Sequence, residues 1–187
     1  MPPTAPTNKS GKTRLFLCLV GPPGGYAFVT PPLGLLYIAA WLRERFDLEI
    51  RVVNQRVEGW STDRLIREIT YFDPHIVGLG CMTPSAHALP EITRAVRAAL
   101  PNTLIALGGP HVAAFGAAAL AATDADVAVA GEGETAMEYI VRAWSDGADM
   151  ADVPGVIRRD AAGHIVVNPG APPPIKDLDT LPMPAYD

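Results

Sequence analysis

Cysteine is scarce in this 187-residue chain, which has only Cys18 and Cys81. Two thiols this far apart, one inside an apolar run and one just after another, form neither a disulfide framework nor a zinc motif. They point to a reducing, cytoplasmic setting. Cationic clusters are also missing. Fifteen Lys and Arg stand against 20 Asp and Glu, for a net charge of −5, and no basic stripe occurs. A nucleic-acid partner needs clustered cations against its phosphates and is disfavoured. No apolar run is long enough to cross a bilayer, so no membrane partner is expected. Residues 1–13 are polar and Pro-rich and lack the apolar stretch of a signal peptide, so they read as a disordered tail. What the chain does have is apolar residues, 49% of the total, enough to bury a sizeable core in one domain.

Those apolar residues come in two alternating patterns. Strand-length runs are Leu15–Val20, Ile50–Val53, Ile76–Gly80, Leu104–Leu107 and Asp126–Ala130. Between them lie stripes at spacings of three and four. Leu35, Ile38, Ala39, Leu42 and Phe46 form one, with Pro31 and Pro32 just ahead, where a helix tolerates proline. Leu65, Ile66 and Ile69 form a second, behind Ser61 as N-cap. Leu89, Ile92, Val96 and Leu100 form a third, Ala113 to Ala122 reads as a short helix, and Met137, Ile140, Val141 and Trp144 form the last. Strictly alternating strands and helices predict a doubly wound α/β fold over residues 14–147, with a five-stranded parallel sheet of flavodoxin- or Rossmann-like order. Gly155 to Arg159 and His164 to Val167 flank Asp160-Ala161-Ala162-Gly163 and predict a β-hairpin appended to that domain, within residues 148–170. Residues 171–187 are Pro-rich and read as a linker.

In an open parallel sheet a ligand binds beyond the carboxyl ends of the strands, where the strand order switches. Those ends carry little side-chain bulk here: Gly24-Gly25, Gly108-Gly109, and Gly131 with Gly133. Turns use glycine in any case, but three glycine-rich ends on one edge suggest a broad, flat ligand lying across it, because glycine lets a backbone approach closely. Thr83 and Ser85 follow the third strand. Their hydroxyls either bond a ligand or cap the next helix, with Ser85 placed to do so. His111 contacts a ligand or finishes a loop; with no Cys, His or carboxylate near it, it is a weak metal ligand. Glu132 and Glu134 flank Gly133, and either do acid–base work or complement a helix N-terminus. The segment Gly21-Pro22-Pro23-Gly24-Gly25 is neither a Walker loop nor a dinucleotide fingerprint, and its prolines remove donors that a phosphate would want.

Several segments, in order, resemble the cobalamin-binding N-terminal domain of cobalamin-dependent radical S-adenosylmethionine enzymes. They are Pro31-Pro32-Leu33-Gly34-Leu35-Leu36-Tyr37-Ile38-Ala39-Ala40, Asp73-Pro74-His75-Ile76-Val77-Gly78-Leu79, Gly108-Gly109-Pro110-His111, Gly131-Glu132-Gly133-Glu134, and Leu178-Asp179-Thr180-Leu181-Pro182-Met183-Pro184. That family includes methylases and the anaerobic magnesium-protoporphyrin ester cyclase group. The resemblance implies cobalamin, as methylcobalamin or cob(I)alamin, with the corrin over the sheet's carboxyl edge. It implies contacts from Pro23, Gly24, Gly25, Tyr26, Leu33, Gly34, Arg56, Cys81, Met82, Thr83, Ser85, Gly108, Gly109, Pro110, His111, Gly131, Glu132 and Gly133. The nucleotide tail would enter beside Thr83 and Ser85, toward Gly108 and Gly109.

Two departures qualify the resemblance. Cobalamin domains of the His-ligated type carry Asp-x-His-x-x-Gly after the first strand, whereas Gly21 to Thr30 contains no His. A base-off cofactor without a His lower ligand is therefore expected, with Tyr26, Arg56 or Trp60 facing the cobalt instead. Nor does the chain contain Cys-x-x-x-Cys-x-x-Cys, and three thiolates are needed for the radical iron–sulfur cluster. The cluster and S-adenosylmethionine would then belong to a radical barrel supplied in cis or in trans, this chain being a truncated or split form that is not catalytic alone. The alternative from the residues is a flavodoxin-like nucleotide- or flavin-binding domain or small enzyme using Glu132 and His111. A response-regulator-like domain is disfavoured, because the first strand ends in Gly21-Pro22-Pro23 rather than in clustered acids.

Overall fold

A computed structural model of the chain describes residues 11–24 and 31–186. A seven-stranded sheet runs in the order β2-β1-β3-β4-β5-β6-β7. Its first five members are parallel: β1 (Thr13–Val20), β2 (Leu48–Asn54), β3 (Ile76–Cys81), β4 (Leu104–Gly108) and β5 (Val127–Ala128). β6 (Ile157–Arg159) and β7 (Ile165–Val167) continue the sheet antiparallel. The hairpin expected near the end is thus part of the main sheet. Asp160 sets its turn, with Oδ1 accepting the N–H groups of Ala162 and His164 at 2.9 Å each.

Helices cover both faces, which is why the central strands read as continuous apolar runs. All six residues of β3 are buried. On one face Phe16, Cys18, Val77, Leu79, Ile105 and Leu107 meet α2 (Thr62–Phe72), α3 (Leu89–Ala99), α4 (Pro110–Phe115) and α5 (Ala117–Ala121). On the other, Leu15, Leu17, Ile76, Ala106 and Val127 meet α1 (Leu33–Arg43) and α6 (Gly133–Asp146). Each fully buried Leu or Ile in these layers contributes about 1.5–3 kcal/mol. Local chemistry sets the helix ends. Ser61 Oγ accepts the Arg64 N–H at 3.2 Å to start α2, and Asp73, left-handed at φ 50°, stops it before Pro74.

Four expectations are adjusted. The Ala-rich helix is two short helices, because Gly116 at φ +48° breaks it. The fifth strand is shorter than Asp126–Ala130, because the Asp126 carboxylate turns aside to accept the Ile105 N–H at 2.7 Å and to pair with Arg97. A 3₁₀ segment, Thr83–Ala88, precedes α3, so Ser85 does not cap that helix. The Pro-rich end is not loose over its length: Ile175, Leu181 and Ala185 pack on the α1/α6 layer, and the Ala185 N–H bonds the Leu36 carbonyl at 3.2 Å.

Candidate functional site

The chain leaves β1 for β2 on one side and reaches β3 on the other, so the strand order switches between β1 and β3. A cleft of about 330 Å³ opens at the carboxyl end of that switch, on the α1/α6 face. Its floor is Leu17, Leu19, Gly78, Gly80, Ala106 and Gly108, and its walls are Leu33, Gly34 and Ile38 of α1 with Gly133, Glu134 and Met137 of α6.

The glycines do two different jobs. At Gly78 an added Cβ would stand 2.6 Å from Leu17 Cδ2, and at Gly133 one would stand 2.4 Å from Ile38 Cδ1. Gly78 lets the floor pack closely, and Gly133 lets the walls do so. Gly109, at φ +89°, lets its loop lie against the Cys81 backbone, whose nitrogen would be 2.9 Å from a Cβ. At Gly34, Gly108 and Gly131 a Cβ would meet nothing within 4 Å. There, among the described residues, no neighbour fills the space of the missing side chains.

Electrostatically the cleft is nearly blank. Its charged side chains are Glu132 and Glu134. Glu132 is exposed at the N-cap of α6. Glu134 is half-buried, and burial pushes its carboxyl above the ordinary value; N–H groups of Glu134 and Gly133 oppose that, and Glu132 adds to it. The Cys81 thiol is pushed up to about 11 by burial, and its Sγ donates to the Met82 carbonyl at 3.1 Å. The Cys18 thiol, deeper in the sheet, is pushed up to about 12, again chiefly by burial.

Of the residues singled out from sequence, Leu33, Gly34, Cys81, Gly108, Gly109, Pro110, Gly131, Glu132 and Gly133 line this one cleft. Pro23 and Gly24 lie exposed just after β1, and Arg56 packs beside Gly21, where a Cβ would be 3.3 Å from its Nε. Gly25 and Tyr26 lie outside the described residues. Met82 and Thr83 are exposed beyond β3, and Ser85 is buried under the other face; none of the three lines the cleft. His111 also stays outside it, its ring against Phe115 at 4.7 Å. Trp60 is 4% exposed, packed in the α2 layer with the guanidiniums of Arg51 and Arg64 at 5.4 and 5.1 Å from its ring centroid, so its ring offers little surface to a ligand. Sequence reasoning missed Ile38, Gly78, Gly80, Val129 and Met137, all cleft-lining. It also missed Gln55, fully buried, whose Oε1 accepts the Gly21 N–H at 3.0 Å and whose Nε2 donates to the Trp60 carbonyl at 3.2 Å. Gln55 ties the end of β1 to the turn after β2.

Among the described residues no helix is long and apolar enough to cross a membrane. Comparison with known proteins places the fold. A radical S-adenosylmethionine methyltransferase, TsrM from Kitasatospora setae, solved with cobalamin and an iron–sulfur cluster, superposes with a TM-score of 0.71 at 20% identity, over 86% of this chain and 29% of that one. The cobalamin-dependent S-adenosylmethionine radical enzyme OxsB, solved with aqua-cobalamin, gives 0.74 at 16% identity, over 94% of this chain and 24% of that one. In sequence, the anaerobic magnesium-protoporphyrin IX monomethyl ester cyclase of Rubrivivax gelatinosus is 31% identical over 155 residues, 81% of this chain and 28% of its own length. An uncharacterised methyltransferase of Pyrococcus horikoshii is 28% identical over 158 residues, 84% of this chain and 34% of its own length. The chain thus spans about a third or less of the relatives it matches. Residues 25–141 match the B12 binding domain, and the chain belongs to that family.

Proposed function

We propose that the chain holds cobalamin base-off, with the nucleotide tail in the β1/β3 cleft and the corrin over the rim, as the cofactor domain of a larger radical S-adenosylmethionine methyltransferase or cyclase. One observation carries the reading: at Gly34, Gly108 and Gly131 the space that a side chain would occupy is open, at the switch in strand order. The residues fit such a ligand. A cleft of about 330 Å³ is at the small end of ligand pockets, ~300–1,000 Å³. It suits an aromatic base and its sugar but not a corrin, which would rest outside, near Leu33 and Met82, 46% and 49% exposed.

Base-off binding follows from that division, since a base buried between α1 and α6 is withdrawn from a cobalt above the rim. Arg56, beside Gly21, is left as the described candidate for the lower face, and Tyr26 as the other. When bound, cobalamin supplies the cobalt–carbon bond used in methyl transfer, and the protein supplies position and surroundings. With two buried thiols, the described fold does not provide the three thiolates of a radical cluster. That cluster and S-adenosylmethionine would come from a barrel in the same protein or another, as the greater length of the relatives supports.

The test is direct. Purified protein is mixed with hydroxocobalamin, desalted and scanned in the visible range. Retained corrin absorbance is expected. A colourless protein, above all one that instead retains a flavin or an adenine nucleotide, would overturn the reading.

A further inference from the structure

We infer that Glu134 is the residue that recognises the nucleotide base of the tail. Its carboxyl, protonated, donates a hydrogen bond to the base's unsubstituted ring nitrogen, so that seating the tail takes up one proton. The inference rests on the cobalamin reading above.

The lining of the cleft carries the argument. Among the described residues, β1, β3, β4 and α1 contribute only apolar side chains, glycines and the Cys81 thiol, and the carboxyls come from Glu132 and Glu134 alone. Cys81 stays protonated, its Sγ already donating to the Met82 carbonyl. Glu132 is exposed and keeps its water. Glu134 is the half-buried one, and a tail filling the cleft would strip its remaining solvent. An alkylated benzimidazole offers one bare ring nitrogen, an acceptor with no N–H. Set against it, an ionised carboxylate would place lone pair against lone pair, whereas a single proton from solvent satisfies both atoms. No covalent bond forms or breaks. The N–H groups of Gly133 and Glu134 at the start of α6 hold the carboxyl down, and a glutamine oxygen in its place can face them equally.

The sign of the pH dependence follows. Burial already raises the Glu134 carboxyl above its ordinary value in the free protein, and the seated tail raises it further. Affinity for the tail is greatest below the free-protein value. Above it, affinity falls about tenfold per pH unit until the bound-state value is passed.

The experiment is a calorimetric titration with cyanocobalamin, and with cobinamide, which has the corrin but no tail, from about pH 5 to about pH 8. Buffers of different ionisation enthalpy report the protons taken up. For the unaltered protein the expectation is proton uptake and an affinity for cyanocobalamin that weakens as pH rises, with no pH dependence for cobinamide. Glu134→Gln should bind with a flat pH profile, and Glu132→Gln should keep the original slope. An unaltered protein that binds cyanocobalamin with a flat profile, or a Glu134→Gln variant with an unchanged slope, would overturn the inference and leave the cobalamin reading standing. Failure to bind cyanocobalamin at every pH would overturn both.

Discussion

Gly133 at the start of α6 lies flush against Ile38 of α1, so close that a Cβ on Gly133 would be 2.4 Å from Ile38 Cδ1 and 3.1 Å from Cγ1. Both residues line the cleft. Gly133→Ala therefore forces the Ile38 side chain to swing or the two helices to part. Overpacking of this kind costs about 1–3 kcal/mol. The variant is expected to melt lower and to retain less cobalamin after desalting. An unchanged melting temperature would show that the helix contact is looser than described.

Gly108 and Gly109 are neighbours with opposite expectations. A side chain at Gly108 would enter open space, so Gly108→Phe should keep its stability to within about 0.5 kcal/mol while filling the cleft and abolishing cobalamin retention. At Gly109, φ is +89° and a Cβ would be 2.9 Å from Cys81 N and 3.1 Å from Cys81 O. That backbone, at φ +89° and ψ −178°, is open essentially to glycine alone and costs another residue about 1–3 kcal/mol, and neither Cys81 atom can move without moving β3. Gly109→Ala should thus lower stability, as urea unfolding would report. Equal behaviour of the two variants would contradict this reading of the glycines.

Gln55→Leu removes both arms of a buried bridge and keeps the groups they bonded. It leaves the Gly21 N–H and the Trp60 carbonyl without the bonds they make at 3.0 and 3.2 Å. Each such loss costs about 1–3 kcal/mol. Urea unfolding should show a loss of about 2–6 kcal/mol, the two losses together. A loss well under 1 kcal/mol would mean that solvent reaches the end of β1.

The two thiols should be silent in the native protein. Burial holds Cys81 near 11 and Cys18 near 12, against an ordinary value of 9.0. At about pH 8 neither is a thiolate, so a thiol reagent should label none in buffer and both in denaturant. The same shifts fix a sign. The folded state holds these protons more tightly than the unfolded one, so their stabilising contribution is complete below pH 9 and declines as pH rises through 11 to 12. Fast labelling in native buffer would contradict the burial.

The sheet was legible because its central strands β1, β3 and β4 are covered on both faces, which leaves a plain apolar run for each, while edge strand β2 carries Glu49 and Arg51 among its apolar residues. β5 was less so, since the side chain that shortens it, Asp126, spends its carboxylate on Ile105 and Arg97 rather than on any local pattern. The glycines of the cleft were visible as glycines. Their division into those that admit a neighbour and those that leave space was not, because it depends on what lies across the fold: Leu17 faces Gly78, Ile38 faces Gly133, and nothing faces Gly108. Glu132 and Glu134 are two residues apart and look alike in sequence. The start of α6 separates them, leaving Glu132 in solvent and putting Glu134 half under the cleft wall. The burial of Trp60 was not legible either, because an aromatic residue just after a turn carries no sign that its ring packs against Arg51 and Arg64.

The account turns on where the cofactor's own base sits and on what lies beneath the cobalt. Electron paramagnetic resonance of the cobalt(II) cofactor bound to this protein tests both at once. A spectrum without nitrogen superhyperfine splitting is predicted, the result required if the base lies in the cleft and no imidazole takes its place. A triplet on each cobalt line, whether from the cofactor's base or from a protein histidine such as His111, would contradict it.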